Sequence, residues 1–292
     1  MNHTLFDAFF QGDARTYLDR AISLALEEDG PDLTSEAVFT GNERAHSVII
    51  AKEPTICAGL PLIPIVLSAL EHETSHDVTH FFADGDSVAP GTTVAEFTCP
   101  PAVAFKAERV ILNFICHLSG IANLTRRYAD ALSGTRTILL DTRKTLPGLR
   151  YPEKYAVLLG GGKNHRMDLA EMLMLKDNHI DQAGGISPAV DALRKTYSPC
   201  PPIEVECRTL DDVTEAANLG VDRIMLDNMA PDTLREALER IPSGIESEVS
   251  GGVNLSTIAD IGRIGPDYVS VGRLTHSAPA ADFSMRVRIT HG

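Results

Sequence analysis

The chain lacks any apolar run long enough to span a bilayer: the longest, from Ile56 to Leu70, is short and interrupted by Pro61 and Pro64. It lacks an excess of basic charge, with 26 Lys+Arg against 40 Asp+Glu and a formal net charge of -14. That balance excludes non-specific binding to nucleic acid or anionic membrane. Cys57, Cys99, Cys116, Cys200 and Cys207 are odd in number and contain no CxxC pair, which fits buried thiols in a reducing cytosol rather than a disulfide framework. The P-loop and dinucleotide-binding glycine patterns are absent, as is a nucleophile elbow. The first residues carry no basic stretch followed by an apolar core, so no signal peptide is expected. The expectation is a soluble, cytoplasmic protein.

What positive charge there is gathers in one region. Residues 143–176 hold seven Lys/Arg (143, 144, 150, 154, 163, 166, 176) and three acids (153, 168, 171). The run Asp141-Thr142-Arg143-Lys144-Thr145-Leu146-Pro147-Gly148-Leu149-Arg150 directly follows the apolar Ile138-Leu139-Leu140, so cations cluster where a buried strand empties into a loop. Gly160-Gly161-Gly162-Lys163-Asn164-His165-Arg166 and Lys176-Asp177-Asn178 follow at intervals suited to successive β-α units. A solvated helix face accounts for Lys154 and Arg150. It does not account for Arg143, Lys144 and Lys176, which stand at the ends of apolar strands and imply a polyanionic substrate.

At 292 residues the chain has room for one barrel and a small extra domain. Up to about residue 110, helix and strand mix without a repeat. An amphipathic helix is expected over 16–28, with Leu18, Ile22, Ala25 and Leu26 on one face, and a second over 60–70. Between Phe81 and Phe97 the pattern reads as strand, turn and strand. A long helix begins near Ala107. Beyond it, short apolar runs end near Asp141, Lys176, Cys207, Asp227, Ser250 and Gly272, with helical segments between them. This is the rhythm of right-handed β-α repeats on a parallel sheet. A barrel with one or two weak staves is expected, with an open doubly wound sheet as the alternative.

In Ile203-Glu204-Val205-Glu206-Cys207 the period of two sends Ile203 and Val205 toward outer helices and Glu204 and Glu206 into the barrel. The same argument turns Asp227 inward at the next strand's end. Glu206 and Asp227 become neighbours, a hard-oxygen site for Mg²⁺ or partners for Lys176 or Arg143, and these readings are compatible. Glu204 and Glu248 fall a layer lower, as members of an ion pair within the barrel. Ser250-Gly251-Gly252 and Val269-Ser270-Val271-Gly272 place glycines where barrels bind phosphate through bare backbone N–H groups. His72, His76 and His80 are spaced by four, but a strand beginning near Val78 argues against a metal site there.

The motifs together resemble the quinolinate phosphoribosyltransferase family. The resemblance is carried, in order and over nearly the whole chain, by Ala107-Glu108-Arg109-Val110-Ile111-Leu112-Asn113-Phe114, Leu118-Ser119-Gly120-Ile121-Ala122, the run from Asp141 to Arg150, Glu153-Lys154-Tyr155-Ala156-Val157, Gly161-Gly162-Lys163-Asn164-His165-Arg166, Lys176-Asp177-Asn178-His179-Ile180, Leu226-Asp227-Asn228-Met229 and Ser250-Gly251-Gly252. It implies an α/β fold: a C-terminal incomplete (β/α) barrel of the TIM type with about seven strands over 112–276, and a smaller N-terminal α/β sandwich domain over 1–111 joined by the tail 277–292. It implies a reaction in which quinolinate and 5-phosphoribosyl-1-pyrophosphate give nicotinate mononucleotide, pyrophosphate and CO₂, with Mg²⁺, in NAD biosynthesis.

By that resemblance Arg143, His165, Arg166 and Lys176 hold the quinolinate carboxylates, and Lys144 meets the pyrophosphate or the reacting centre. Glu206 and Asp227 meet Mg²⁺ and the ribose hydroxyls. Ser250, Gly251, Gly252 and Gly272 form the 5-phosphate site. Arg109 reaches into the neighbouring subunit's site in a homodimer, and His276 lies near the same mouth. Glu28-Asp29-Gly30-Pro31-Asp32-Leu33-Thr34-Ser35 departs from the family by a shortened, proline-containing turn. Three alternatives stand beside this reading. One is the molybdenum-operon relative of the family, from which the retained Lys176-Asp177-Asn178-His179 speaks against membership. The others are a lyase using Lys144 or Lys176 as a Schiff base, and a non-catalytic phosphometabolite-binding barrel.

Overall fold

The computed structural model describes residues 4–39, 43–70 and 77–290. His72 and His76 lie outside the described residues. The chain divides into two compact units, Met1–Arg126 with Thr145–Gly161 and Thr275–Gly292, and Arg127–Lys144 with Gly162–Leu274. The division after Arg126 falls inside the helix Pro101–Ala131, as does the expected boundary at 111.

In the first unit, β1 (Arg44–Ala51) buries every second residue, Ala45, Ser47, Ile49 and Ala51, the signature of a sheet with one covered face. It pairs antiparallel with β5 (Thr93–Cys99) on one side and with the C-terminal strand β12 (Phe283–Thr290) on the other, while β3 (Asp77–His80) pairs with β5. The strand-turn-strand expected over 81–97 takes a different form. The two-residue β4 (Ser87–Val88) pairs with β2 (Thr55–Ile56), not with β5. The cause is Asp84, whose carboxylate accepts the backbone N–H groups of Gly59 and Leu60, each at 2.9 Å, and ties the loop to the segment after β2.

The helix Gly12–Glu28 buries Ala14, Leu18, Ile22 and Leu26 along one stripe. The long helix starts at Pro101, earlier than Ala107, because proline suits a first turn whose N–H groups have no intrahelical acceptor. Gly120 on this helix is required: a Cβ there would overlap the Pro279 carbonyl oxygen, where the C-terminal segment crosses. Lys154, expected on a solvated face, is fully buried, since the helix Arg150–Leu159 is covered at every position from Pro152 to Val157. All five cysteines are free thiols. Among the described residues, no helix is long and apolar enough to cross a membrane.

The second unit holds six parallel strands, β6 (Ile138–Leu140), β7 (Leu173–Leu175), β8 (Ile203–Cys207), β9 (Arg223–Asp227), β10 (Glu246–Ser250) and β11 (Tyr268–Ser270). Their order, β6-β11-β10-β9-β8-β7, runs in sequence with the first strand joined to the last. That is a sheet wrapped into a barrel, not a doubly wound one. Where a seventh stave is expected there is a single parallel bridge, Leu140 to Lys163. The gap between that bridge and β7 is stitched by Arg166, whose Nη1 donates to the Met172 carbonyl at 2.9 Å.

Candidate active site

Every carboxyl end of the six strands opens on one cavity of about 560 Å³. Its wall includes Arg143, Lys144, His165, Arg166, Lys176, Glu206, Asp227, Ser250, Gly251 and Gly252. Thus ten of the expected site residues come together, eight from five strand ends and His165 and Arg166 from the segment after the Lys163 bridge. Glu248 lines it too, as do Thr142, Asn228 and Ser270, which stand in the quoted motifs without an assigned role, and Met174 and Met225, which carried no signal in the sequence. Gly272 follows β11, two residues beyond Ser270. Arg109 and His276 belong to the first unit. The Arg109 side chain is 72% exposed, with Glu108 Oε1 at 3.8 Å, and His276 Nδ1 lies 2.7 Å from Ser277 Oγ.

Arg143 Nε is buried without a hydrogen-bond partner among the described residues. Burial, and then the charge of Arg143, lower the pKa of the Arg166 guanidinium. Two guanidinium groups repelling each other beside an unsatisfied N–H form a site that an anion would relieve. Asp141, buried at the end of β6, sets this geometry: its Oδ1 accepts the His165 N–H at 2.8 Å and its Oδ2 accepts the Asn164 amide at 2.6 Å.

On the opposite wall, Lys176 Nζ lies 3.6 Å from Glu206 Oε2. Burial raises the Glu206 carboxyl above its ordinary value, Lys176 opposes that shift, and Asp227 adds to it. Two neighbouring carboxylates on an open, partly buried wall are a donor set suited to a hard divalent cation.

The floor of the cavity carries a second cluster, whose His165 and Glu248 also line it. The period-two argument put Glu204 and Glu248 in a lower layer, and there they meet His165. Its Nε2 is 3.1 Å from Glu204 Oε2 and 3.3 Å from Glu248 Oε2, while Nδ1 accepts the Arg166 N–H at 2.7 Å. His165, expected to hold a substrate carboxylate, therefore has both ring nitrogens turned to the protein, because two fully buried carboxylates need compensation. Burial opposes charge on the ring, and the two carboxylates pull its pKa above the ordinary histidine value. The three residues have the composition of a metal site, with ligand atoms within 4.8 Å of one another. Two features oppose that use. The Arg166 N–H donated to Nδ1 needs that nitrogen's lone pair, so this geometry holds the ring neutral with its proton on Nε2 against the upward pull of the carboxylates, and Arg223 Nη1 already lies 3.2 Å from Glu248 Oε2. This is a buried ion network. Glu248→Ala should cost about 3 to 5 kcal/mol of stability in urea unfolding, since it removes the fully buried carboxylate on which His165 and Arg223 converge and leaves Arg223 only its half-exposed partner Glu246.

The class is now defined: a parallel-barrel protein whose strand ends gather cations beside a carboxylate pair. Residues 32–119 match the family described as quinolinate phosphoribosyl transferase, N-terminal domain, and residues 121–286 its C-terminal domain. The chain is 41% identical over 267 residues to the probable nicotinate-nucleotide pyrophosphorylase (carboxylating) of Bacillus subtilis, which covers 91% of each. NadC from Streptococcus pyogenes superposes at a TM-score of 0.88 with 38% identity, covering 99% of both chains. The nicotinate-nucleotide pyrophosphorylase of Ehrlichia chaffeensis does so at 0.86 with 34% identity, covering 92% of this chain and 98% of that one. The protein belongs to the quinolinate phosphoribosyl transferase family.

Proposed function

We propose that this chain transfers the phosphoribosyl group of 5-phosphoribosyl-1-pyrophosphate to quinolinate with loss of CO₂, yielding nicotinate mononucleotide and pyrophosphate for NAD biosynthesis. The observation that carries the reading is the divided cavity: Arg143, Lys144, Arg166 and Lys176 stand with Glu206 and Asp227 and with the Gly251-Gly252 turn. Quinolinate is a dianion and the donor is a polyanion whose anomeric carbon becomes cationic as pyrophosphate departs. One pocket therefore needs cations and carboxylates together, which a Schiff-base lyase or a phosphometabolite sensor does not.

Arg143, Arg166 and Lys176 bind and orient the two quinolinate carboxylates, with guanidinium forks matched to planar oxyanions. His165 acts from beneath, fixing the Arg166 backbone through Nδ1. Lys144 neutralises the departing pyrophosphate, while Glu206 and Asp227 stabilise positive charge at the anomeric carbon. The pyridine nitrogen attacks that carbon. The resulting pyridinium stabilises the electron pair left on the adjacent ring carbon when its carboxylate leaves as CO₂, and that carbon then takes up a proton, so the protein needs to supply position and exclusion of water rather than a covalent cofactor. Gly251 and Gly252 present backbone N–H groups to the 5-phosphate, with Ser250 and Gly272 beside them. Glu206 and Asp227 would also hold Mg²⁺, which supplies charge neutralisation for the pyrophosphate when bound.

Arg109 and His276 complete the site in a homodimer, Arg109 reaching the neighbouring subunit, and the free thiols accord with a cytoplasmic setting. Incubation with quinolinate, the phosphoribosyl donor and Mg²⁺ should produce nicotinate mononucleotide. Nicotinate should be a far poorer acceptor, because it offers one carboxylate fewer to Arg143, Arg166 and Lys176. Arg143→Ala, Arg166→Ala and Lys176→Ala should each weaken quinolinate binding by about 1.5 to 3 kcal/mol, read by calorimetry. Unchanged affinity in all three would move the acceptor site elsewhere.

A further inference from the structure

We infer that Asn228 is a positioning residue that locks the Asp227 carboxylate and the Gly251-Gly252 turn into one geometry for the phosphoribosyl donor. The inference rests on the function proposed above for those neighbours. Asn228 immediately follows β9, and it is the non-glycine residue with a left-handed backbone among those described, at φ 52°. A side chain in that region is disfavoured, and asparagine tolerates it better than most. The conformation aims the carboxamide in two directions at once.

Its Nδ2 donates to Asp227 Oδ2 at 2.8 Å, which occupies one of that carboxylate's two oxygens and fixes its plane. Only the nitrogen end can donate to a carboxylate, so the amide's orientation is determined. Its other face lies on Gly251: a Cβ at Gly251 would overlap the Asn228 carboxamide, so the glycine is needed for this packing as well as for its own φ of 87°. The Asn228 N–H also donates to the Ser250 carbonyl at 3.0 Å, which ties the two strand ends together one residue beyond the Ser250–Asp227 pair. One side chain thus touches the group assigned to the ribose and the turn assigned to the phosphate.

The test is a split between the two substrates. Asn228→Gly keeps the backbone conformation and deletes the carboxamide, so the KM for 5-phosphoribosyl-1-pyrophosphate should rise about tenfold while that for quinolinate stays within about twofold. Asn228→Asp keeps the size and the left-handed tolerance but offers Asp227 a second anion in place of a donor. It should not rescue the donor KM, and it reads the same ratio if the glycine variant fails to fold. An unchanged donor KM in either folded variant, or equal rises for both substrates, would overturn the inference. Calorimetry with 5-phosphoribosyl-1-pyrophosphate alone separates this inference from the function it rests on. If the wild-type chain makes no nicotinate mononucleotide yet loses donor affinity on Asn228→Gly, the function fails and the positioning role stands.

Discussion

Asp227→Asn and Glu206→Gln should each lower turnover about 10²- to 10³-fold, while the dissociation constant of quinolinate moves by less than about threefold. The side chains keep their size, so the cavity keeps its shape. What is lost is negative charge beside a carbon that becomes cationic only as pyrophosphate leaves, and such an interaction appears in the transition state and not in acceptor binding. If Glu206 and Asp227 hold Mg²⁺ as proposed, the wild-type chain should lose activity in excess chelator. Rapid-quench turnover with calorimetry on the same variants reads both quantities. Equal losses in turnover and in quinolinate affinity would place these carboxylates on the acceptor side.

The second large effect concerns assembly. Arg109→Ala and Glu206→Ala chains should each be inactive alone and recover activity when mixed under conditions of subunit exchange. Arg109 is highly exposed on the helix Pro101–Ala131, and the proposed role sends it to a neighbour. In a two-fold dimer with one site per chain, a mixed pair has one site with both lesions and one with neither. With random exchange of equal amounts, half the dimers are mixed and roughly a quarter of all sites are intact. If Arg109 serves its own chain, every site keeps a lesion and mixing restores nothing. Mass spectrometry that confirms exchange without recovery would exclude the shared site.

The strand ends were legible because parallel strands buried on both faces read as short apolar runs, and each run stops where its chemistry begins. The alternation in Ile203-Glu204-Val205-Glu206-Cys207 separated Glu206, at the cavity wall, from Glu204, in the layer beneath. What the sequence hid depends on contacts between distant segments. Nothing local marks Lys154 as buried or sets β4 against β2 rather than β5. Nor does the run Lys163-Asn164-His165-Arg166 show that its histidine turns toward Glu204 and Glu248, some 40 and 80 residues away along the chain, while Arg166 spans a seam in the barrel. Asn228 was visible as part of a motif, but its left-handed backbone and its contact with Gly251 required the fold.

The central claim is that this cavity joins phosphoribosyl transfer to decarboxylation. The most direct measurement uses quinolinate labelled in the carboxyl group next to the ring nitrogen, with the phosphoribosyl donor and Mg²⁺, and follows labelled CO₂, pyrophosphate and nicotinate mononucleotide together. The account predicts that the three appear in equal amounts, and that omission of the donor abolishes CO₂ release, because the ring must be alkylated before it can accept the electron pair. CO₂ released without the donor, or pyrophosphate formed with no mononucleotide, would contradict it.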